Sequence, residues 1–189
     1  MLLFKRMFGE EDTGQWMVLG GNALLLRTSR GRFTDDIDLS HADDWEDTDV
    51  LLAELREIGV RDVGDAIQFE FTHADLRNRA DQFGYGTQAV RIHARALLAN
   101  RVFEPFTVDV TLRRHVAGPV DHIQPVPVID DETLSDLPEI PVVPVENHLA
   151  DKVCGMYELH RGGKPSTRYR DLADIVRIAS DLQISAGRL

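Results

Sequence analysis

The chain has one cysteine, Cys154, in 189 residues. That excludes an intramolecular disulfide, and with no CxxC or Cys/His spacing it also excludes a cysteine-based zinc site. Cys154 falls in a predicted helix, where a small packed side chain is expected. Long apolar runs are missing as well: none approaches the roughly 20 residues that cross a bilayer. No membrane partner is therefore expected. Met1 to Met7 carries Lys5 and Arg6 but no hydrophobic segment leading to a small-residue cleavage site, so the expected location is cytoplasmic. Positive charge is scarce, with 21 Lys and Arg against 32 Asp and Glu for a net of −11. Such a balance opposes a general nucleic-acid-binding module. The seven histidines (His41, His73, His93, His115, His122, His148 and His160) show no ligand spacing along the sequence. Internal repeats and low-complexity tracts are also missing.

What is present suits one domain, or a compact catalytic core with a small helical appendage. Hydrophobic residues make up 43% of the chain, enough for a real core. The charge is uneven. Residues 145–189 hold seven Lys or Arg against six Asp or Glu, a net of +1, which leaves −12 on residues 1–144. The run Arg161–Arg170 contains Arg161, Lys164, Arg168 and Arg170 and no acid, a candidate phosphate-contacting patch.

Hydrophobic periodicity gives the order of elements. Leu2–Phe8 reads as a short helix and Gln15–Leu19 as a strand that meets Gly20-Gly21, with good helix formers from Asn22 to Thr28. Asp36–Ser40 alternates as a half-buried strand does. Asp47 or Thr48 caps a helix with the stripe Leu51, Leu55 and Ile58, ending at Gly59. Three strands follow, with Ile67, Phe69 and Phe71 on one face, then Val90, Ile92 and Ala94, then Phe106, Val108, Val110 and Leu112. Residues 118–144 hold six of the eight prolines and are expected to be extended or looped. Two helices, near 145–159 and 168–182, close the chain around a break at Gly162-Gly163-Lys164-Pro165. The expected class is α+β, a mixed twisted sheet flanked by helices with a short C-terminal helical part. The expected divisions are a core at 1–117, a proline-rich connection at 118–144 and a helical part at 145–189 that completes the active site.

Chemistry concentrates at a few positions. Asp36 and Asp38 flank Ile37, so on a strand their carboxylates share a face with Cα atoms about 7 Å apart. Paired carboxylates repel unless a cation neutralises them, and hard oxygen donors suit Mg²⁺. Asp109 lies on the polar side of a valine-rich strand, where it needs a partner: a metal shared with Asp36 and Asp38, or a nearby arginine. Gly20 and Gly21 stand where a strand turns into a helix, a seat for phosphates. Lys152 interrupts the apolar stripe Val145, Leu149, Met156 and Leu159, where a lysine either snorkels out or points into a cleft. In the last helix Leu172, Ile175, Ile178, Ala179 and Leu182 make the expected buried face. Asp171 lies inside that arc and Asp174 at its edge.

Five motifs then occur in order: G-G-N-A-L at 20–24, R-x-T-x-D-I-D-L at 32–39, V-D-V at 108–110, A-D-K at 150–152 and R-D-L-A-D-I at 170–175. Together, over Trp16 to Ile178, they resemble the AbiEii-type nucleotidyltransferase toxins of bacterial toxin–antitoxin systems, including the MenT group, within the DNA polymerase β-like superfamily. The resemblance implies a nucleotidyltransferase fold and a toxin that uses NTP and Mg²⁺ (or Mn²⁺) to add nucleotides to RNA, in characterised members the 3′ end of tRNA. It also implies a neighbouring antitoxin. By the same resemblance Asp36 and Asp38 match the metal-binding pair, Asp109 the third carboxylate, and Lys152 and Asp171 the C-terminal catalytic residues. Gly20, Gly21, Asn22 and Lys152 are the expected NTP contacts, and Arg161, Lys164, Arg168 and Arg170 the expected acceptor contacts. Asn22 departs from the Gly-Ser pair common in the superfamily, and the C-terminal part is short. Thr34, two residues before Asp36, is a candidate phosphorylation site, since the family includes toxins silenced near this motif. A small-molecule nucleotidyltransferase and a non-catalytic NTP- or partner-binding domain are the competing readings.

Overall fold

The computed structural model describes residues 1–9, 14–28, 34, 36–42, 47–80, 86–112, 116–127, 129, 131–160, 163–185 and 187. The chain divides into two compact units, Met1–Arg114 with His122–Pro141, and His115–Asp121 with Val142–Leu189.

In the first unit a short helix α1 (Leu2–Met7) precedes β1 (Trp16–Val18), α2 (Gly20–Thr28), β2 (Asp36–His41), α3 (Thr48–Gly59) and three long strands, β3 (Ile67–Ala80), β4 (Gly86–Leu98) and β5 (Arg101–Leu112). Asp47 caps α3: its carboxylate accepts from the Asp49 N–H at 3.0 Å. The buried stripe of α3 is Leu51, Leu52, Leu55 and Ile58. The last residue of α3 is Gly59, where a side chain would strike the Phe69 carbonyl and the Phe71 ring. Residues 118–144 add β6 (Asp121–Ile123), a 3₁₀ turn (Glu132–Leu134) and β7 (Ile140–Val142).

The strands form one mixed sheet in the order β3-β4-β5-β2-β1-β7-β6. β2 runs parallel to β5 and antiparallel to β1, while β3, β4 and β5 make an antiparallel meander. The β4–β5 turn is the pair Ala99-Asn100, both with positive φ (49° and 61°), the handedness that two-residue hairpins require. Alternation along the strands sends Leu39, Val90, Ile92, Val108 and Val110 into the core.

β3 contains a bulge at Thr72: Phe71 pairs with Ala94, but His73 pairs with His93. Its geometry is held from two sides. Arg56 of α3 donates to the carbonyls of Phe71 and Thr72, both at 2.9 Å, and the Thr72 hydroxyl donates to the His93 carbonyl at 3.0 Å.

The second unit contains α4 (Val145–Tyr157), a two-residue-per-strand hairpin of β8 (Leu159–His160) and β9 (Lys164–Pro165), and α5 (Tyr169–Asp181). No helix among the described residues is long and apolar enough to cross a membrane.

Candidate active site

In the first unit the polar face of the sheet is set by register. Residues paired across adjacent strands share a face, so the pairs can be read as rows. One row runs Asp36, Thr107, His93, His73, and the next runs Asp38, Asp109, Arg91, Asp75. Asp36, Asp38 and Asp109, the three carboxylates expected to act together, therefore project from one face, and all are half-buried. Asp38 and Asp109 stand side by side on parallel strands.

Gly20, at φ +57°, begins α2 directly against this face. A Cβ there would overlap the Asp38 carboxylate. Gly21 meets Thr34 in the same way, its missing side chain leaving room for the Thr34 methyl. The Leu19 N–H donates to the Asp38 carbonyl at 2.8 Å, which ties the β1–α2 turn to β2. Asn22 is spent on the backbone of the same region: its amide donates to the Thr34 hydroxyl at 3.1 Å and to the Asp36 carbonyl at 3.0 Å. The Thr34 hydroxyl in turn donates to the Asp36 carbonyl at 2.8 Å. Asn22 and Thr34 thus shape the start of β2. Arg32 of the same motif lies outside the described residues.

Asp109 has a partner that the sequence left open. Arg91 donates through Nε to Asp109 Oδ1 at 2.6 Å and through Nη2 to Oδ2, a two-point ion pair across β4 and β5. The hydrogen bond to Asp109 and the charges of Asp109, Asp36 and Asp38 hold the Arg91 guanidinium above its ordinary pKa, with burial opposing them. Arg91 is the residue that sequence reasoning missed. Its one signal was its outward place between the inward Val90 and Ile92.

Among the described residues, the one set of three donors whose ligand atoms lie within 4.8 Å of one another is His73, Asp75 and His93. The two imidazoles stack at 4.1 Å, and His93 Nε2 lies 3.1 Å from Asp75 Oδ2. Twenty residues separate the two histidines, and hairpin register alone joins them, so no spacing along the sequence could reveal the set.

In the second unit Lys152 is buried on α4. Its ammonium donates to Asp174 at 2.7 Å and to Asp171 at 3.2 Å. Arg168 Nε lies 2.8 Å from the other Asp171 oxygen, and its guanidinium rests where Gly155 has no side chain. Two cations and two carboxylates thus balance, with Lys152, Asp171 and Asp174 buried and Arg168 half-exposed. Asp174, given only an edge position by periodicity, makes the shorter contact to Lys152. Lys164 and Arg170 are exposed, and Arg161 lies outside the described residues.

Two sequence expectations fail here. The inward residues of α5 are Asp171, Asp174 and Ile178, while Leu172 is 51% exposed and Ala179 is also exposed. The ion cluster turns the helix, because a buried Lys152 ammonium left without its two carboxylates would cost more than one exposed leucine does. Cys154 is exposed rather than packed, since it follows Lys152 by two positions and so faces away.

The sequence matches the model of the nucleotidyl transferase AbiEii toxin family, type IV TA system, over residues 2–189. The chain belongs to the AbiEii nucleotidyltransferase toxin family. No curated protein matches it. Among solved structures it is similar to MenT4, a nucleotidyltransferase toxin from Mycobacterium tuberculosis H37Rv, with TM-score 0.59 and 22% identity over 94% of this chain and 55% of that one. It is also similar to JHP933 from Helicobacter pylori, with TM-score 0.53 and 17% identity over 95% of this chain and 62% of that one. At these identities the likeness is one of fold. This AbiEii chain spans less than two thirds of the length of either solved relative. The mixed seven-stranded sheet flanked by helices is the nucleotidyltransferase fold that the motifs led one to expect.

Proposed function

We propose that this AbiEii chain is a metal-dependent toxin that transfers NMP from an NTP to an RNA acceptor, the 3′ end of tRNA. Translation then stops until a cognate antitoxin, acting in the cytoplasm, counters it. The observation that carries the reading is the carboxylate face: Asp36, Asp38 and Asp109 on one side of β2 and β5, with Gly20 lacking a side chain where the Asp38 carboxylate lies.

The donor set fits Mg²⁺ or Mn²⁺, because hard half-buried carboxylates two residues apart leave coordination positions for phosphate oxygens. When bound, the ion offsets charge on the triphosphate and its pyrophosphate leaving group. Asp36 and Asp38 hold it. Asp109 completes the set, as a further ligand or as the base for the attacking hydroxyl. The acceptor oxygen bonds to the α-phosphorus, the bond to pyrophosphate breaks, and the hydroxyl proton leaves to a carboxylate or water. Gly20, Gly21 and Asn22 form the NTP-binding turn. Lys152 and Asp171 serve the same reaction, Lys152 toward phosphate and Asp171 toward the acceptor or base. Arg161, Lys164, Arg168 and Arg170 supply charge for the acceptor backbone. Thr34 is the regulatory position: a phosphate on its hydroxyl would break the contacts to Asn22 and Asp36 and add about −1.5 to −2 of charge beside the metal ligands.

The test is incubation with Mg²⁺, each α-labelled NTP in turn, and total RNA. The expected label appears in tRNA-sized RNA and vanishes with Asp36→Ala, which leaves the fold nearly intact. Label confined to small molecules would point to an antibiotic-type acceptor. Nucleotide binding with no labelled product from any mixture would point to a non-catalytic domain. For Thr34, mass spectrometry after co-expression with the antitoxin should find a phosphopeptide; an unmodified peptide with full inhibition would end the idea.

A further inference from the structure

Whether Asp109 binds metal is decided by what already holds it. We propose that Arg91 takes the place of a second divalent cation, holding Asp109 in a two-point ion pair so that Asp36 and Asp38 bind a single ion. The inference rests on the metal assignment proposed for Asp36 and Asp38 and deepens it.

Three observations converge. Arg91 and Asp109 are direct register partners on β4 and β5, so the pair needs no rearrangement of either strand to form. Both Asp109 oxygens accept from one guanidinium, so each already has one lone pair committed to Arg91. And among the described residues Asp36, Asp38 and Asp109 are not a set whose oxygens all lie within 4.8 Å of one another, whereas His73, Asp75 and His93 are.

Charge count agrees. Asp36, Asp38, Asp109 and Arg91 together carry a net of −2, which one divalent ion neutralises. A second ion would have to displace a guanidinium that stays protonated at any working pH. It would also leave that guanidinium facing two dications. A fixed arginine therefore supplies, without a second binding equilibrium, part of the positive field that two-ion sites draw from a metal. Arg91 is a positioning residue in this account: it acts through Asp109.

Mn²⁺ binding stoichiometry, read by electron paramagnetic resonance of free Mn²⁺ in titrations of the full chain without nucleotide, tests the inference. Each protein is measured also with His73→Ala, so that an ion at the histidine set is not counted. One ion is expected for the unmodified chain, lost in Asp38→Asn. Arg91→Gln should bind two, and Arg91→Gln with Asp109→Asn one again. Arg91→Lys, which keeps the charge, should stay at one. Two ions in the unmodified chain falling to one in Asp109→Asn would overturn the role of Arg91, and that comparison holds even if Arg91→Gln fails to fold. A folded Arg91→Gln protein that still takes only one ion would overturn it too. Full retention of the ion by Asp38→Asn would instead sink the underlying metal assignment.

Discussion

Asn22 and Asp36 are joined side chain to backbone: the Asn22 amide donates to the Asp36 carbonyl at 3.0 Å while also donating to Thr34. A residue in the first turn of α2 thereby fixes the backbone that presents the metal-binding pair. Asn22→Ala removes both bonds, at a net cost of about 1–2 kcal/mol. The melting temperature should fall by several degrees, roughly 2–4 °C per kcal/mol at this size. Transfer should fall at least tenfold, because the Asp36 carboxylate loses its fixed origin. Normal transfer together with unchanged melting would show that the contact is idle.

Gly20 and Gly21 are expected to differ in kind. Gly20→Ala places a Cβ on the Asp38 carboxylate and an L-residue at φ +57°, a backbone cost of about 1–2 kcal/mol. Gly21→Ala meets the Thr34 methyl instead. Mn²⁺ affinity should drop more than tenfold in Gly20→Ala and much less in Gly21→Ala. Equal losses in isothermal titration of the two variants would contradict the close approach to Asp38.

Lys152 should prove structural as well as catalytic. Lys152→Met leaves Asp171 and Asp174 buried without their ammonium, at a cost of about 3–5 kcal/mol. Pairing it with Asp174→Asn removes one of the stranded charges and should recover part of that stability in urea unfolding, with transfer still lost. If the double variant is no more stable than the single one, the buried cluster is not what Lys152 neutralises.

Acid should weaken the first unit through Asp65. Burial alone would raise its pKa, but hydrogen bonds from Arg6 and from the Ile67 N–H, with the Arg6 charge, hold it below its ordinary value. A depressed carboxylate contributes its stability in full above the unfolded value of about 3.9 and loses it as pH falls through the lower native value. Asp65→Asn should therefore be destabilising at pH 7, with the gap to the unmodified chain narrowing below pH 4. A constant gap in urea unfolding between pH 7 and pH 3 would refute the linkage.

Local chemistry made much of the fold legible. The Asp47 cap, the α3 stripe and the alternation of β2, β4 and β5 all follow from side chains within a few residues of one another. The shared face of Asp36 and Asp38, and the place of Asp109 on the polar side of β5, were readable because strand period needs no tertiary information, while the β2–β5 register is what makes those faces one. Features set by pairing were not. Arg91 opposite Asp109 requires knowing that β4 neighbours β5 in that register, and His73 beside His93 requires the bulge. Buried ion pairing set the orientation of α5, so periodicity, which placed Asp171 and Ile178 inward, also put the exposed Leu172 and Ala179 inward and left Asp174 at the edge.

The extra residue at Thr72 works like a shift of frame within β3. Beyond it, every odd-numbered side chain of the strand joins the polar side of the sheet, where His73 and Asp75 meet His93 and Arg91. Pairing Thr72 itself with His93, with no bulge, would turn His73 and Asp75 to the apolar side of the sheet, whereas deleting Thr72 keeps Phe71 opposite Ala94 and His73 opposite His93 and leaves both groups on the polar side. Loss of Thr72 is thus a milder change than a single-residue insertion or deletion between His73 and Leu76, which would flip the faces, and Arg56, by donating to the Phe71 and Thr72 carbonyls, holds the bulge in place.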